Sequence, residues 1–134
     1  MAGTLVVDTV KSSTTSPPAF QNSSGAAVGA LCRAWCNYNG TTQTILASFN
    51  VSSVTYSSAG IHIINFTNPM PDANYAVTGA LQADNTNNYA NTLCVQTTVG
   101  AAKSASAFAY RGTSAGNGGV AVADYVSEMI AVFR

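Results

Sequence analysis

Charge is what this chain has least of. Of its 134 residues, five are Lys or Arg and five are Asp or Glu, and the formal net charge is zero. Affinity for nucleic acid comes largely from clustered cations that neutralise phosphates. Here Lys11, Arg33, Lys103, Arg111 and Arg134 are scattered along the chain, so a nucleic-acid partner is not expected. A membrane-crossing helix needs about 20 consecutive apolar residues; no window approaches that, and membrane insertion is not expected either. A basic leading segment is also missing, and Asp8 interrupts the apolar run Leu5-Val6-Val7, so no secretory signal is read and synthesis in a cytoplasm is the expectation.

The groups that carry chemistry are equally sparse. His62 is the only histidine, and it stands between Ile61 and Ile63 in a strand-like run, where a packing role outweighs that of a general base. Packed at a subunit interface, its titration near neutral pH would tune assembly. Cysteine occurs three times, at Cys32, Cys36 and Cys94. Residues four apart on one strand lie about 13 Å apart, too far for a disulfide. The three thiols and His62 nominally make a Cys3His zinc set, but the spacing is not that of a turn-mounted knuckle, and free thiols acting as small hydrophobes are the expectation. Asp72 and Asp84 are the candidates for a carboxylate pair of the glycosidase kind, yet Pro71-Asp72-Ala73-Asn74 is explained by turn capping. The run from Asp84 to Asn88 lacks calcium-loop spacing. There is no phosphate-cradling glycine loop and no nucleophile elbow. The reading is that the chain is not an enzyme and uses no cofactor or metal. Glycosylation sequons at Asn22, Asn39, Asn50 and Asn65 are what chance gives in so Asn/Ser/Thr-rich a chain.

What is present is β-strand pattern. Ser48 to Val54 alternates apolar and polar residues, Ser57-Ser58-Ala59-Gly60 is turn chemistry, and Ile61 to Thr67 resumes the alternation. Pro69 and Pro71 stop it, because proline cannot donate to a ladder, and a strand follows over Asn74 to Ala83 with Gly79 as a candidate bulge. Upstream, Ala30 to Tyr38 is a strand. Its face of Cys32, Ala34, Cys36 and Tyr38 looks like the core, which leaves Arg33 and Trp35 outward as a candidate subunit interface; the reverse assignment, with Trp35 in the core, is equally open. Asn39-Gly40-Thr41-Thr42 is a hairpin turn leading into Thr44 to Phe49. Strands are expected over Thr92 to Val99 and Ser104 to Arg111, a flexible loop over Thr113 to Gly119, and one or two strands over Val120 to Arg134, with Val126, Glu128, Ile130 and Val132 on one face. About nine short strands with regular turns predict an antiparallel, jelly-roll-like β-sandwich.

The first 29 residues read differently. Thr4 to Lys11 alternates like a strand, and the Ser/Thr-rich stretch that follows carries Pro17 and Pro18, which stiffen it toward extended geometry. We expect domains at 1–29 and 30–134, the first an attachment or subunit-exchange arm with Leu5, Val7, Pro17, Pro18 and Phe20 as its contact residues. A chain that is 47% hydrophobic with so little charge would be poorly soluble alone, so a closed homo-oligomer is expected. Binding, if any, falls on loops held by the rigid scaffold: Asn87, Asn88, Tyr89, Asn91 and Arg111 offer an aromatic face and amides suited to a glycan.

The central block also carries a likeness. Ala34-Trp35-Cys36-Asn37-Tyr38-Asn39-Gly40-Thr41, then Phe49 to Thr55, then Asn65 to Tyr75, and last Ile130 to Arg134 resemble a β-rich domain found at the C-terminal ends of phage tail-fibre and virion structural proteins, whose pattern is AWVNFNGT, FNVSSIT, YTVNFTTAMPDANY and VAVFR. Cys36 replaces the usual β-branched residue, and His62 and Ile63 stand where an aromatic and a threonine are frequent. The likeness covers roughly residues 31 to 134. It implies a homotrimer within a virion, on the tail or capsid surface, with other virion proteins and a host surface glycan as partners. A capsid decoration or head-fibre protein is the first alternative, and a free carbohydrate-binding module the second.

Overall fold

A computed structural model describes residues 3, 6–11, 18, 20–29, 31–82, 90–96, 102–116 and 119–134. The chain divides into two compact units, Met1–Leu31 and Cys32–Arg134.

In the first unit, β1 (Phe20–Gln21) and β2 (Ala27–Gly29) pair antiparallel. Asn22 makes the turn: its Oδ1 accepts from the Ser24 N–H, the Ser24 hydroxyl and the Ala26 N–H, and Gly25 sits at φ 82. This asparagine turn chemistry folds into a hairpin part of the stretch that composition marks as an extended linker. Val6–Lys11 forms no strand, contrary to the expectation for Thr4 to Lys11, and alternation alone does not make one without a ladder partner, of which the described residues offer none. Val7 and Phe20 are exposed and Pro18 is half-buried, while Leu5 and Pro17 lie outside the described residues.

The second unit is all β: β3 (Cys32–Asn39), β4 (Thr44–Phe49), β5 (Val51–Ser58), β6 (Ile61–Phe66), β7 (Ala76–Gln82), β8 (Ala90–Val95), β9 (Ala107–Gly116), β10 (Gly119–Val122) and β11 (Ser127–Phe133). Every pairing is antiparallel. One sheet runs β4-β3-β11-β7; the other runs β10-β9-β6-β5, with β8 also on β9. The strand β9 takes β6 and β10 end to end along one side and β8 along the other. The sheets form a β-sandwich. Period-2 alternation sends Ala34, Cys36 and Tyr38 of β3, Ile130 and Val132 of β11, Ile64 and Phe66 of β6 and Phe108 and Tyr110 of β9 into one shared core.

Two turns show why the hairpins close where they do. Asn39 Oδ1 accepts the Thr42 N–H at 2.9 Å and Gln43 takes φ 56, ending β3 and starting β4. Between β5 and β6, Gly60 sits at φ 66, and a Cβ there would stand 2.6 Å from the Ala123 nitrogen, so only glycine fits.

Several boundaries differ from the sequence pattern. Ser48–Val54 is not one strand. Asn50 breaks it at φ 55, its Nδ2 donating to the Arg33 and Asn68 carbonyls and its Oδ1 accepting the Asn68 N–H at 2.7 Å, and the chain passes there from one sheet to the other. Gly79 is not a bulge: the β7–β11 register is unbroken, and a Cβ at this position would lie 2.5 Å from the Met129 carbonyl oxygen. Thr113 to Gly116 is ladder rather than flexible loop, because β9 has strands on both sides there and buried Thr113 donates to the Thr92 carbonyl. β9 starts at Ala107 rather than Ser104, whose hydroxyl accepts the Ala107 N–H and holds a bend. β8 spans Ala90–Val95, and Thr97 to Val99 of the expected strand lie outside the described residues. The β11 alternation holds from Glu128 to Val132 but fails before Ser127, where Tyr125 is buried and Val126 exposed, since the strand has not yet begun.

Candidate functional site

Two places carry more than packing, one inside the sandwich and one on its surface. The inner one gathers around His62. Its strand register turns it inward along with Ile64 and Phe66, and it is 0% exposed. The ring stands edge-on to Tyr38 at 5.0 Å and tilted toward Tyr110 at 5.4 Å and Tyr56 at 5.5 Å between centroids. Its Nε2 is 3.3 Å from Asp124 Oδ1 and its Nδ1 3.7 Å from Glu128 Oε2. Glu128, also 0% exposed, accepts the Tyr110 hydroxyl at 2.5 Å and the Tyr125 N–H at 3.0 Å. Asp124 accepts the Gly60 N–H at 2.5 Å. Gly40 leaves just enough room, since a Cβ there would lie against Glu128 Oε1.

Burial decides the electrostatics. It pushes the His62 imidazolium down to about 4, with Asp124 pulling the other way. Asp124 Oδ1 also accepts the Gly60 N–H, and Glu128 accepts Tyr110 and Tyr125, so both carboxylates are shared with other donors and burial outweighs the pull of Asp124. Glu128 is itself raised by burial, opposed by the hydrogen bonds from Tyr110 and Tyr125 and reinforced by Asp124. Burial raises the Tyr110 hydroxyl, with the Glu128 charge adding to it. Burial, then Glu128, pushes the Cys36 thiol up to about 11, so it is inert at neutral pH. An acid–imidazole–acid row is the raw material of acid–base catalysis, but a base must come within hydrogen-bond reach of a substrate. This imidazole has no exposed atom surface to offer one. It also lies inside one chain, which removes the expectation that it packs at a subunit interface. Its ring packs against Tyr38 of β3, Tyr56 of β5 and Tyr110 of β9, and neither ring nitrogen has a hydrogen-bond partner among the described residues.

Among the described residues no group of three His, Cys, Asp or Glu side chains is arranged to hold a metal ion. Cys32, Cys36 and Cys94 are free. Asp72 works as a turn cap, accepting the Asn74 N–H at 2.7 Å, and also pairs with the Arg134 guanidinium, which holds its carboxyl below the usual range. Asp84 lies outside the described residues.

The outer place is the solvent face of the four-stranded sheet. Because Ala34, Cys36 and Tyr38 point inward, Trp35 points outward and is 40% exposed, which decides between the two assignments of β3. The register puts Phe49, Trp35, Ala131 and Thr78 in one row across β4, β3, β11 and β7, and Ala47, Asn37, Met129 and Ala80 in the next. Phe49, Met129 and Phe133 are exposed with Trp35. A shallow groove of ≈ 550 Å³ lies across β3, β11 and β7, lined by Trp35, Asn37, Thr78, Ala80, Met129 and Ala131. Arg33 is half-buried, and its carbonyl takes the Asn50 amide.

The candidate glycan residues are not brought together in what is described. Asn87, Asn88 and Tyr89 lie outside the described residues; Asn91 belongs to β8, in register with Ser114. Arg111 stands mid-strand in β9, opposite Ile61 and Cys94, half-buried, rather than beside a flexible loop. Sequence reasoning missed the interior cluster. The signal was there: Glu128 is an acid in an inward register otherwise filled by Ile130 and Val132, and His62 holds the same kind of place beside Ile64.

No protein-family model matches the chain, and no curated protein or solved structure is significantly similar to it.

Proposed function

We propose that this chain is a structural subunit of a bacteriophage virion, a tail-fibre or fibre-like component working as a homotrimer. The observation that carries the reading is the outer face of the four-stranded sheet, where Trp35, Phe49, Met129 and Phe133 lie open on a chain with almost no charge. Open apolar patches of this kind mark contact surfaces, and Trp is among the residues that dominate binding energy in them. The virion assignment is supported by the resemblance of residues 31 to 134 to fibre C-terminal domains, and by an interior cluster closed to substrates. Residues 1–29 attach the subunit to other virion proteins, and the segment around Tyr89 meets the host surface.

Light scattering on the purified chain tests the subunit contact. A trimer is expected at micromolar concentration, and Trp35→Glu should weaken it by more than tenfold in dissociation concentration (about 1.4 kcal/mol per tenfold). A monodisperse wild-type monomer refutes the reading. Immunogold labelling of intact particles then locates the subunit: label at the tail supports a fibre, label over the head a decoration protein, and unlabelled particles rule out a virion role.

A further inference from the structure

The edge of the five-stranded sheet at β5 is unguarded. β5 pairs with β6 on one side, and no strand among the described residues pairs with its other side. Its eight residues, Val51–Ser58, contain no proline and no charge. Soluble proteins usually blunt such edges with Lys, Pro or bulges, because an open edge is a template for another strand. Register shifts occur only toward its two ends, leaving Ser53 to Tyr56 regular.

Which main-chain groups stand open follows from the ladder. The Phe66 N–H donates to the Ser106 carbonyl, so Phe66, Ile64 and His62 turn their main-chain groups toward β9. Ile63 and Asn65 therefore turn theirs toward β5, where they meet Thr55 and Ser53. Alternate residues of an antiparallel strand point to opposite sides. Val54 and Tyr56 thus aim their N–H and C=O groups outward, where no strand of the described chain receives them.

The chain also holds a segment with the opposite deficit. Val6–Lys11 has strand-like alternation yet forms no strand, and Val6 is 87% exposed, with Val7 and Val10 also open. Among the described residues the unit it belongs to shows no core, since every residue of β1 and β2 is exposed. A two-stranded hairpin is marginal in water unless it packs on something else.

We infer that Val6–Val10 of one copy adds as a strand to the β5 edge of a neighbouring copy, its main chain pairing with Val54 and Tyr56. Strand addition takes its affinity from main-chain hydrogen bonds, which suits an edge of small uncharged residues, and it covers the valines at the same time. The inference rests on the homo-oligomer reading and names how one copy grips the next.

Residue-resolved amide hydrogen exchange on the full-length protein tests it, alongside light scattering. In the assembled wild type, the Val54 and Tyr56 amides should exchange as slowly as those of Ser53 and Thr55. In the full-length double variant Val7→Pro/Asp8→Pro, which removes donors from both alternations of the arm, Val54 and Tyr56 should exchange at least tenfold faster, with Ser53 and Thr55 unchanged. A photo-reactive residue replacing Val7 should give covalent dimers whose joined peptides include β5. An assembled protein with fast exchange at Val54 and Tyr56, or cross-links confined to single chains, overturns strand donation and leaves the oligomer standing. A monomer overturns both.

Discussion

Replacing His62 with phenylalanine should change the pH dependence of stability more than stability itself. The unfolded chain takes up a proton on histidine near 6.5, while the folded chain resists it until about 4, because the buried ring would have to become an unsolvated cation. Below pH 6.5 the unfolded state therefore binds more protons, and stability falls as pH drops toward 4. A displacement of that size corresponds to at most about 3 kcal/mol, lost between pH 6.5 and 4. Glu128 acts with the opposite sign: its carboxyl is raised in the folded state, so protonation as the pH approaches the raised value relieves the cost of burying its charge. Asp72, held low by Arg134, makes both proteins lose stability as the pH falls, so the difference between the wild-type and variant curves isolates the His62 part. Urea unfolding followed by Trp35 fluorescence, at fixed protein concentration and at pH 7, 6, 5 and 4, gives the two curves. The wild type should lose more stability over this range than His62→Phe does. Parallel curves would show that the imidazole is no more costly to charge inside than outside, and would refute the account of the interior.

Two substitutions test the backbone. Asn50→Ala removes the side chain that bonds Arg33, Asn68 and the Asn68 N–H at the crossing between the sheets, and it leaves a Cβ at positive φ. With each bond worth about 1 kcal/mol net, it should cost about 2–3 kcal/mol, and Asn50→Gly should cost less because glycine accepts the φ; equal midpoints for alanine and wild type in urea would contradict this. Gly79→Val places a Cβ against the Met129 carbonyl and the Leu93 side chain, and should lower stability by at least about 1–3 kcal/mol by prising β7 from β11. A thermal midpoint unchanged from wild type would show that the strand has room the geometry denies.

The fold was legible where burial follows a period of two. The alternation of Cys32 to Tyr38 and of Ile61 to Phe66 marked both as half-buried strands, but which face of the first is core was settled only by the 40% exposure of Trp35. The hairpins at Asn39 and at Gly60 were legible from turn chemistry. What could not be read were events set by tertiary neighbours. Asn50 looks like any polar residue in an alternating strand until its partners, 17 and 18 residues away in sequence, are known. Thr113 and Ser114 look like loop because of the glycines that follow, yet strands on both sides hold them in the ladder. The interior cluster was hidden for the same reason. Glu128 can be buried only because Tyr110 and the Tyr125 N–H meet it, and those partners lie on another strand and in the segment before its own.

That cluster sharpens the case for assembly. The composition allows few charges, and the fold withdraws several of them from solvent or occupies them. Glu128 is inside and Asp124 faces His62. Asp72 and Arg134 pair with each other. Lys103 donates to the Tyr75 carbonyl and sits 4.5 Å over its ring. Of the charged side chains among the described sandwich residues, only Arg33 and Arg111 are engaged by none of these contacts, and both are half-buried. A surface whose polarity comes mostly from Ser, Thr and Asn, with Trp35 and Phe49 open on one sheet, has little to oppose its meeting another copy. Under the proposed contact through the outer face, adding charge there should weaken assembly at little cost to the fold: Met129→Lys, at an outward position of β11, should raise the dissociation concentration at least tenfold by light scattering with circular dichroism unchanged. A Met129→Lys protein that assembles as tightly as wild type would move the contact away from this sheet.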